Sequence, residues 1–133
     1  MAATSVVLDA SALVEALLAT PTGQAVTTRL RGCELHAPAH LDAEVLSALG
    51  RLQRAGALGP RDVATRLRHL ETAPIQRHPL PPLLAGAWRR RATTQLLDGL
   101  YIELADQLDG IPLVTTDRGL AANAPTGELI NPA

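Results

Sequence analysis

Short apolar runs alternate with helical apolar stripes along this chain. Residues 4–8 form a brief run rich in β-branched side chains that ends at Asp9, which is typical of a buried strand. Apolar positions then continue from Leu13 at helical spacing, so we expect a strand followed at once by a helix. The pattern repeats where a strand over residues 34–37 stops at Pro38 and precedes a longer helix. That helix carries a regular apolar stripe, made by Leu41, Val45, Ala48, Leu49 and Leu52.

Proline and glycine divide the rest of the first half. Residues 21–23 predict a break before a polar-faced helix around residues 24–31. The longer helix is expected to stop near Gly56, and another helix to run from Gly59-Pro60 to about residue 71.

The second half continues the alternation. We expect a weak strand at residues 74–78, and then a helix carrying Leu83, Leu84, Ala87 and Trp88. The next helix carries Leu97, Leu100, Tyr101, Leu104 and Leu108, with Gly110 as its cap. A strand at 111–116, a turn at 117–119 before a short helix, and an edge strand at 128–130 complete the prediction. Trp88 and Tyr101 lie on apolar stripes, so both are expected in the core. The alternation predicts an α/β protein, a three-layer α/β/α sandwich with a central, mainly parallel sheet.

Composition narrows the class of protein. A chain of 133 residues predicts a single domain spanning residues 1–133. Hydrophobic residues make up 47% of it with no Phe, which predicts an aliphatic core. The single cysteine, Cys33, cannot form an internal disulfide, and no apolar run is long enough to span a bilayer. We therefore expect an unprocessed cytoplasmic protein with no membrane association.

Four carboxylates stand where ionised groups are costly. Asp9 and Asp117 directly follow apolar runs, and Glu44 and Asp98 border helical stripes. A carboxylate taken out of water shifts its pKa, finds a cation or binds a metal, and the chain contains no lysine. In parallel sheets ligands bind beyond the carboxyl ends of the strands, where Asp9 and Asp117 are expected. The four acids thus predict a site for a hard divalent ion, Mg²⁺ or Mn²⁺.

Each acid also has an ordinary structural interpretation. Asp9 suits the N-cap of the helix that follows it, and Asp98 suits the N-cap of a helix beginning near Gly99. Asp117 with Gly119 has a turn composition, and Glu44 suits the first turn of a helix because of the helix dipole. The sequence leaves both interpretations open for each residue taken alone.

The acids lie in motifs that together resemble a known family. Val-Val-Leu-Asp9-Ala-Ser11, His40-Leu-Asp-Ala-Glu44-Val, Asp98-Gly-Leu-Tyr101-Ile-Glu-Leu-Ala105 and Val-Thr-Thr116-Asp117-Arg-Gly-Leu occur in order over essentially the whole chain. This set resembles the PIN domain, and within it the small VapC toxin ribonucleases of bacterial toxin–antitoxin pairs.

The resemblance implies a function and a site. It implies a Mg²⁺-dependent endoribonuclease, the toxin of a type II toxin–antitoxin system, that hydrolyses RNA phosphodiesters with a metal-activated water. Its catalytic and metal-binding residues would be Asp9, Glu44, Asp98 and Asp117, with Ser11 and Thr116 as supporting hydroxyls. Gly119 departs from the pattern, because many relatives have a second acid or amide there.

The implied partners are RNA, a cognate antitoxin and a second copy of the chain in a homodimer. The net charge of −1 lacks the basic excess of most nucleic-acid binders, although arginines outnumber the acids that remain if metal neutralises four of them. Arg89, Arg90, Arg91 and Arg118 are the candidates for RNA binding, with a solvated basic face as the alternative for the run of three.

Two other classes compete with this function. Phosphoaspartate enzymes of the receiver or haloacid-dehalogenase kind also place an aspartate after the first strand, but they depend on a lysine that this chain lacks. The alternative function is a catalytically degenerate PIN-like module that binds RNA or protein without cleavage, and Gly119 is the feature that supports it.

Overall fold

A computed structural model describes residues 4–131. Five strands form one sheet: β1 Ser5–Leu8, β2 Glu34–Pro38, β3 Ile75–His78, β4 Leu113–Thr115 and β5 Gly127–Leu129. Seven α-helices join them within the described residues: α1 Ala10–Leu18, α2 Pro21–Leu30, α3 Leu41–Arg54, α4 Pro60–Thr72, α5 Leu84–Arg89, α6 Leu96–Gln107 and α7 Arg118–Asn123. A single 3₁₀ turn, Pro81–Leu83, precedes α5. None of the described helices is long and apolar enough to cross a membrane.

The sheet is parallel throughout, in the order β3-β2-β1-β4-β5. Strand β1 is central, with Val7 opposite His36 of β2 and Leu8 opposite Val114 of β4. The chain adds β2 and β3 on one side of β1 and then β4 and β5 on the other. The predicted three-layer α/β/α fold is confirmed, and the order of the strands reverses between β1 and β4.

The core is aliphatic, as composition predicted. The central strands are inaccessible to solvent at Val6, Val7, Leu8, Leu113 and Val114. Helices α1 to α4 pack against one another, while α6 packs on α5 and on β1, β2 and β4. Tyr101 of α6 is buried in this core, as predicted.

The structure corrects several predicted boundaries of helices and strands and the predicted burial of Trp88. Helix α2 begins at Pro21, because proline fits the first helical position and the Thr20 hydroxyl accepts the Gly23 N–H. Strand β4 covers only three residues of the predicted six. Trp88 is not in the core, since it is 57% exposed on the short α5, with the Arg91 guanidinium 4.4 Å from its ring centroid.

Two of the acids occupy helix positions that differ from the predicted ones. Helix α6 starts at Leu96 after Gln95, so Asp98 lies within its first turn and is not its N-cap. Asp117 is the N-cap of α7 and accepts the Leu120 N–H at 3.1 Å, where we had expected a turn.

Candidate active site

Four elements bring the predicted acids to one pocket. Asp9 follows β1 and Asp117 follows β4, and the carboxyl ends of these neighbouring parallel strands meet at the same edge of the sheet. Glu44 comes from the first turn of α3 and Asp98 from the first turn of α6. All four line a cavity of about 380 Å³, which we call the acidic pocket; its other lining residues are Ala10, Ser11, Val14, Glu15, Ala48, Arg51, Tyr101 and Thr116.

Asp9 is the most buried of these acids. It caps α1, with Oδ1 accepting the Ala12 N–H at 3.0 Å, so its capping interpretation holds together with its place in the pocket. Burial raises the pKa of Asp9 to about 6; the hydrogen bonds it accepts act to lower the pKa, and the charge of Asp117 acts to raise it. Asp9 is thus held in a well-defined position by hydrogen bonds from neutral groups.

Two hydroxyls fix the Asp9 carboxylate. Ser11 Oγ lies 2.9 Å from both of its oxygens, and Thr115 Oγ1 donates to Oδ2 at 2.8 Å. Thr115 Oγ1 also accepts the Asp117 N–H at 2.9 Å, which links the two strand ends. The hydroxyl that reaches Asp9 therefore belongs to Thr115 and not to Thr116. Thr116 lines the pocket and donates its backbone N–H to Ser11 Oγ at 3.2 Å.

Glu44 is oriented by aromatic neighbours. The buried Tyr101 hydroxyl donates to Glu44 Oε1 at 2.7 Å, and burial, followed by the interactions with Glu44, raises the pKa of Tyr101 far above its ordinary value, so it remains a donor. His40 Nε2 lies 3.3 Å from the same oxygen and 3.1 Å from the Leu97 carbonyl. Burial lowers the pKa of His40. These contacts hold one oxygen of Glu44 in place beside the pocket.

The acids repel one another across the pocket. Burial raises the pKa of Asp98, and the charges of Asp117 and Glu44 raise it further. Asp117 is exposed at the rim. Repulsion of this kind is relieved by a cation, and oxygen donors suit hard divalent ions.

The donor set therefore fits Mg²⁺ or Mn²⁺. Among residues 4–131, however, no three His, Cys, Asp or Glu side chains are close enough together to enclose an ion. The carboxylates line the walls of a cavity wide enough for water, which matches an ion that retains several waters and needs few direct protein ligands.

The structure also places residues at the pocket that sequence reasoning did not include. Arg51 lies two helical turns after Glu44 on the same face of α3, a spacing visible in the sequence. Glu15 of α1 lines the rim and accepts a hydrogen bond from the Thr20 hydroxyl. The hydrogen bond from Tyr101 to Glu44 could not be predicted from the sequence, because the position of Tyr101 on an apolar stripe indicated only that the residue lies in the core.

The predicted RNA-binding arginines lie outside the lining of the acidic pocket. Arg90 donates to Glu103 Oε1 at 2.6 Å, Arg89 lies 3.5 Å from the same oxygen, and Arg91 lies over Trp88. Arg118 is exposed at the start of α7, next to Asp117. Arg89 and Arg90 are thus ion-paired within the fold.

Comparison with known proteins identifies the family to which this site belongs. Residues 6–124 match the PIN domain. The chain belongs to the PIN domain family. It is 52% identical over 126 residues to Ribonuclease VapC3 of Mycobacterium tuberculosis, covering 94% of this chain and 91% of the relative. It is 41% identical over 116 residues to Ribonuclease VapC12 of the same species, covering 87% and 89% of the two chains.

A solved structure agrees on the fold. The crystal structure of PAE2754 from Pyrobaculum aerophilum superposes with a TM-score of 0.69 at 24% identity, over 93% of this chain and 82% of that one. The predicted PIN resemblance is confirmed, and this VapC-type PIN domain is a nuclease.

Proposed function

We propose that this PIN domain is a divalent-metal-dependent endoribonuclease and the toxin of a type II toxin–antitoxin pair. The observation that carries the proposal is the acidic pocket, in which Asp9, Glu44, Asp98 and Asp117 meet where the order of the strands reverses. The names of the VapC relatives support RNA as the substrate. The activity would be exerted by one domain, residues 1–133, in the cytoplasm.

We assign roles from position and hydrogen bonding. Asp9 and Asp98 would hold Mg²⁺, with Mn²⁺ as a substitute, and Glu44 and Asp117 would complete the site or orient the attacking water. A bound divalent ion supplies Lewis acidity, which eases deprotonation of that water and offsets the charge that develops on the phosphate.

The protein's own groups prepare this site. Ser11 and Thr115 keep the Asp9 carboxylate in one orientation, and Ser11 also receives the Thr116 N–H. Tyr101 holds Oε1 of Glu44, which directs the other carboxylate oxygen to a different partner. Ligands held in this way lose less conformational entropy when an ion and a phosphate bind.

The second candidate is a degenerate module that binds RNA or protein without cleavage. Gly119 favours it, because glycine supplies no acid or amide at a position whose Cβ would lie 3.3 Å from Asp117 Oδ1. The four acids and the ribonuclease relatives favour the enzyme.

The proposed partners follow the same family. A cognate antitoxin would place a basic side chain among the carboxylates, since the acidic pocket has unbalanced negative charge. A homodimer would set two such pockets in one assembly. Arg89, Arg90, Arg91 and Arg118 remain candidates for RNA contacts outside the pocket.

The test compares carboxamide variants. Asp9→Asn and Asp98→Asn should each reduce Mg²⁺-dependent cleavage of RNA by about 10³-fold, because each removes a charge on which the metal and the transition state depend. Asp106→Asn is the matched control, since Asp106 is exposed on the same helix as Asp98 and lies outside the pocket. Calorimetric titration with Mg²⁺ should show weaker binding for the first two variants alone.

Two results would contradict the proposal. Full cleavage by highly purified Asp98→Asn protein would exclude the assigned role. Wild-type protein that binds Mg²⁺ and RNA without turnover would favour the degenerate module.

A further inference from the structure

A second cavity adjoins the acidic pocket along α3. It has a volume of about 360 Å³ and is lined by His40, Ala43, Glu44, Ser47, Arg51 and Leu97. Glu44 and Arg51 line both cavities, so the two are adjacent. We call the second cavity the side pocket; its volume is within the range of small-ligand sites, about 300–1,000 Å³.

Arg51 is the cation between the two pockets. It is exposed, and its Nη1 donates to Ser47 Oγ at 2.8 Å one turn earlier on α3. Within residues 4–131 its guanidinium lies within 4 Å of no carboxylate, although it lines a pocket that contains five of them. Most donors of its planar group are therefore available to an oxyanion, for which a guanidinium is geometrically suited.

The side pocket also has an apolar part, formed by one residue of α3 and one of α6. Leu97, at the start of α6, is 54% exposed, and Ala43 is also exposed. The Leu97 carbonyl lies 3.1 Å from His40 Nε2, a contact that ties the start of α6 to the start of α3. A ligand in this pocket would thus meet a cation and a hydroxyl on α3 together with apolar side chains from α3 and α6.

We propose that the side pocket is a nucleotide subsite. Arg51 and Ser47 bind the phosphate next to the one that is cleaved, and Leu97 with Ala43 contacts the base of that nucleotide. The subsite rests on the proposed function, because the acidic pocket sets which phosphate is cleaved. Its phosphate-binding end and its apolar side match the two chemically different parts of a single-stranded nucleotide.

The phosphate contact is tested by salt dependence. All proteins carry Asp98→Asn so that a fluorescein-labelled single-stranded RNA stays intact, and binding is followed by fluorescence anisotropy over a series of KCl concentrations. Arg51→Ala should weaken binding about tenfold, as expected for loss of hydrogen bonds to a charged group. It should also reduce the slope of log K against log salt by about 0.7, the value for one phosphate contact on a single strand.

Arg54→Ala is the matched control. Arg54 is an exposed arginine on the same helix that lines neither pocket, so its removal should leave the slope nearly unchanged. Arg51→Lys should retain the slope and recover only part of the affinity, because lysine keeps the charge without the planar fork.

The base contact is tested with a second matched pair. Leu97→Ala should weaken RNA binding several-fold with an unchanged salt slope, since it removes apolar contact and no charge. Leu96→Ala is the control, because Leu96 is its exposed neighbour on α6 and lies outside both pockets.

The outcomes separate the subsite from the proposed function. Equal slopes and affinities for the Arg51→Ala and Arg54→Ala proteins would overturn the subsite, even if the wild-type protein cleaves RNA. Unchanged RNA binding with weaker self-association in sedimentation would also overturn it and assign the side pocket to contact between copies. An Arg51-dependent salt slope in the Asp98→Asn proteins, combined with no Mg²⁺-dependent cleavage by the wild-type protein, would retain nucleotide binding at the side pocket and exclude hydrolysis.

Discussion

Two equally buried carboxylates in this protein have opposite surroundings. Asp9 in the acidic pocket and Glu103 on α6 are both 5% exposed. Burial raises the pKa of Asp9 to about 6. Burial also acts to raise the pKa of Glu103, but hydrogen bonds and charges from its neighbours outweigh it, and that pKa lies below its ordinary value.

Glu103 is surrounded by cations. Arg90 Nη1 donates to Oε1 at 2.6 Å, Gln107 Nε2 donates to Oε2 at 2.7 Å, and Arg89 lies 3.5 Å from Oε1. Glycine at position 86 allows this arrangement, because a Cβ there would lie 2.0 Å from the Glu103 carboxyl carbon. The cluster joins α5 to α6.

The difference concerns what each region is suited to do. The Glu103 cluster compensates its buried charge within the fold, so that removing one partner alone would leave an uncompensated charge. The acidic pocket leaves its charge to be compensated from outside, so it costs stability and retains affinity for a cation. Burial alone does not distinguish a carboxylate that is compensated within the fold from one that is not. The distinguishing feature is whether an arginine forms an ion pair with the carboxylate.

The largest effect on stability is expected at Glu103. Glu103→Gln should lower the free energy of unfolding by about 3 kcal/mol, because it removes the charge that compensates Arg90. This value is at the low end of the range for a buried ion pair, since Arg90 is 25% exposed. Urea denaturation at neutral pH measures the change. Asp106→Asn should change stability by less than about 0.5 kcal/mol, and an equally small effect for both variants would remove the basis of the comparison.

The same chemical change at Asp9 should have the opposite sign. In chelator at neutral pH, Asp9→Asn should raise the free energy of unfolding by about 1–2 kcal/mol. The pKa shift of Asp9 sets an upper limit of about 3 kcal/mol on this gain. The amide accepts weaker hydrogen bonds than the carboxylate, which makes the gain smaller than the limit. Added Mg²⁺ should stabilise the wild-type protein and not the variant. A destabilised variant would show that the hydrogen bonds to Asp9 outweigh the cost of its charge.

The pH dependence of the two regions should also be opposite. Because folding raises the pKa of Asp9 from 3.8 to about 6, the stability that its neutral form contributes is complete below the unfolded value and is lost as the pH rises through about 6. Because folding lowers the pKa of Glu103, its contribution is present above the unfolded value and is lost as the pH falls through the lowered one. Denaturation midpoints of the wild type and each carboxamide variant, measured in chelator between about pH 3 and pH 8, separate the two curves.

The smallest effect is expected at Tyr101. Tyr101→Phe removes the hydrogen bond to Glu44 Oε1 and keeps the ring in the core, so stability should change by about 1 kcal/mol or less. If the bond orients Glu44 for catalysis, kcat should fall several-fold with KM little changed. Unaltered kcat would limit Tyr101 to a structural role.

Much of this molecule was readable from sequence, for identifiable reasons. The strand at residues 5–8 and the apolar stripe of α3 follow from strong periodicity, and parallel strands make the meeting of Asp9 with Asp117 predictable. Glu44 and Asp98 were candidates because they border apolar helical stripes, and the resemblance supported them. Their place in the pocket depends on tertiary packing.

Other features of the structure could not be predicted, because the type of residue at each position did not indicate them. Trp88 was placed in the core because its stripe was apolar, yet in α5 the buried residues are Gly86 and Ala87, and Trp88 is exposed. Thr115 and Thr116 differ only by the alternation of a three-residue strand, so the hydroxyl facing Asp9 was assigned one position too late. Arg51 was missed because an arginine on a helix face usually indicates only solvent exposure.

The pairing of β1 with β4 has a consequence for synthesis of the protein on the ribosome. Asp9 is translated 106 positions before Thr115, which donates a hydrogen bond to it. Helices α1 to α4 and strands β1 to β3 are translated before any residue of β4. A nascent chain released before residue 117 thus lacks part of the carboxylate set, and the pocket is complete only after β4 and Asp117 have been translated.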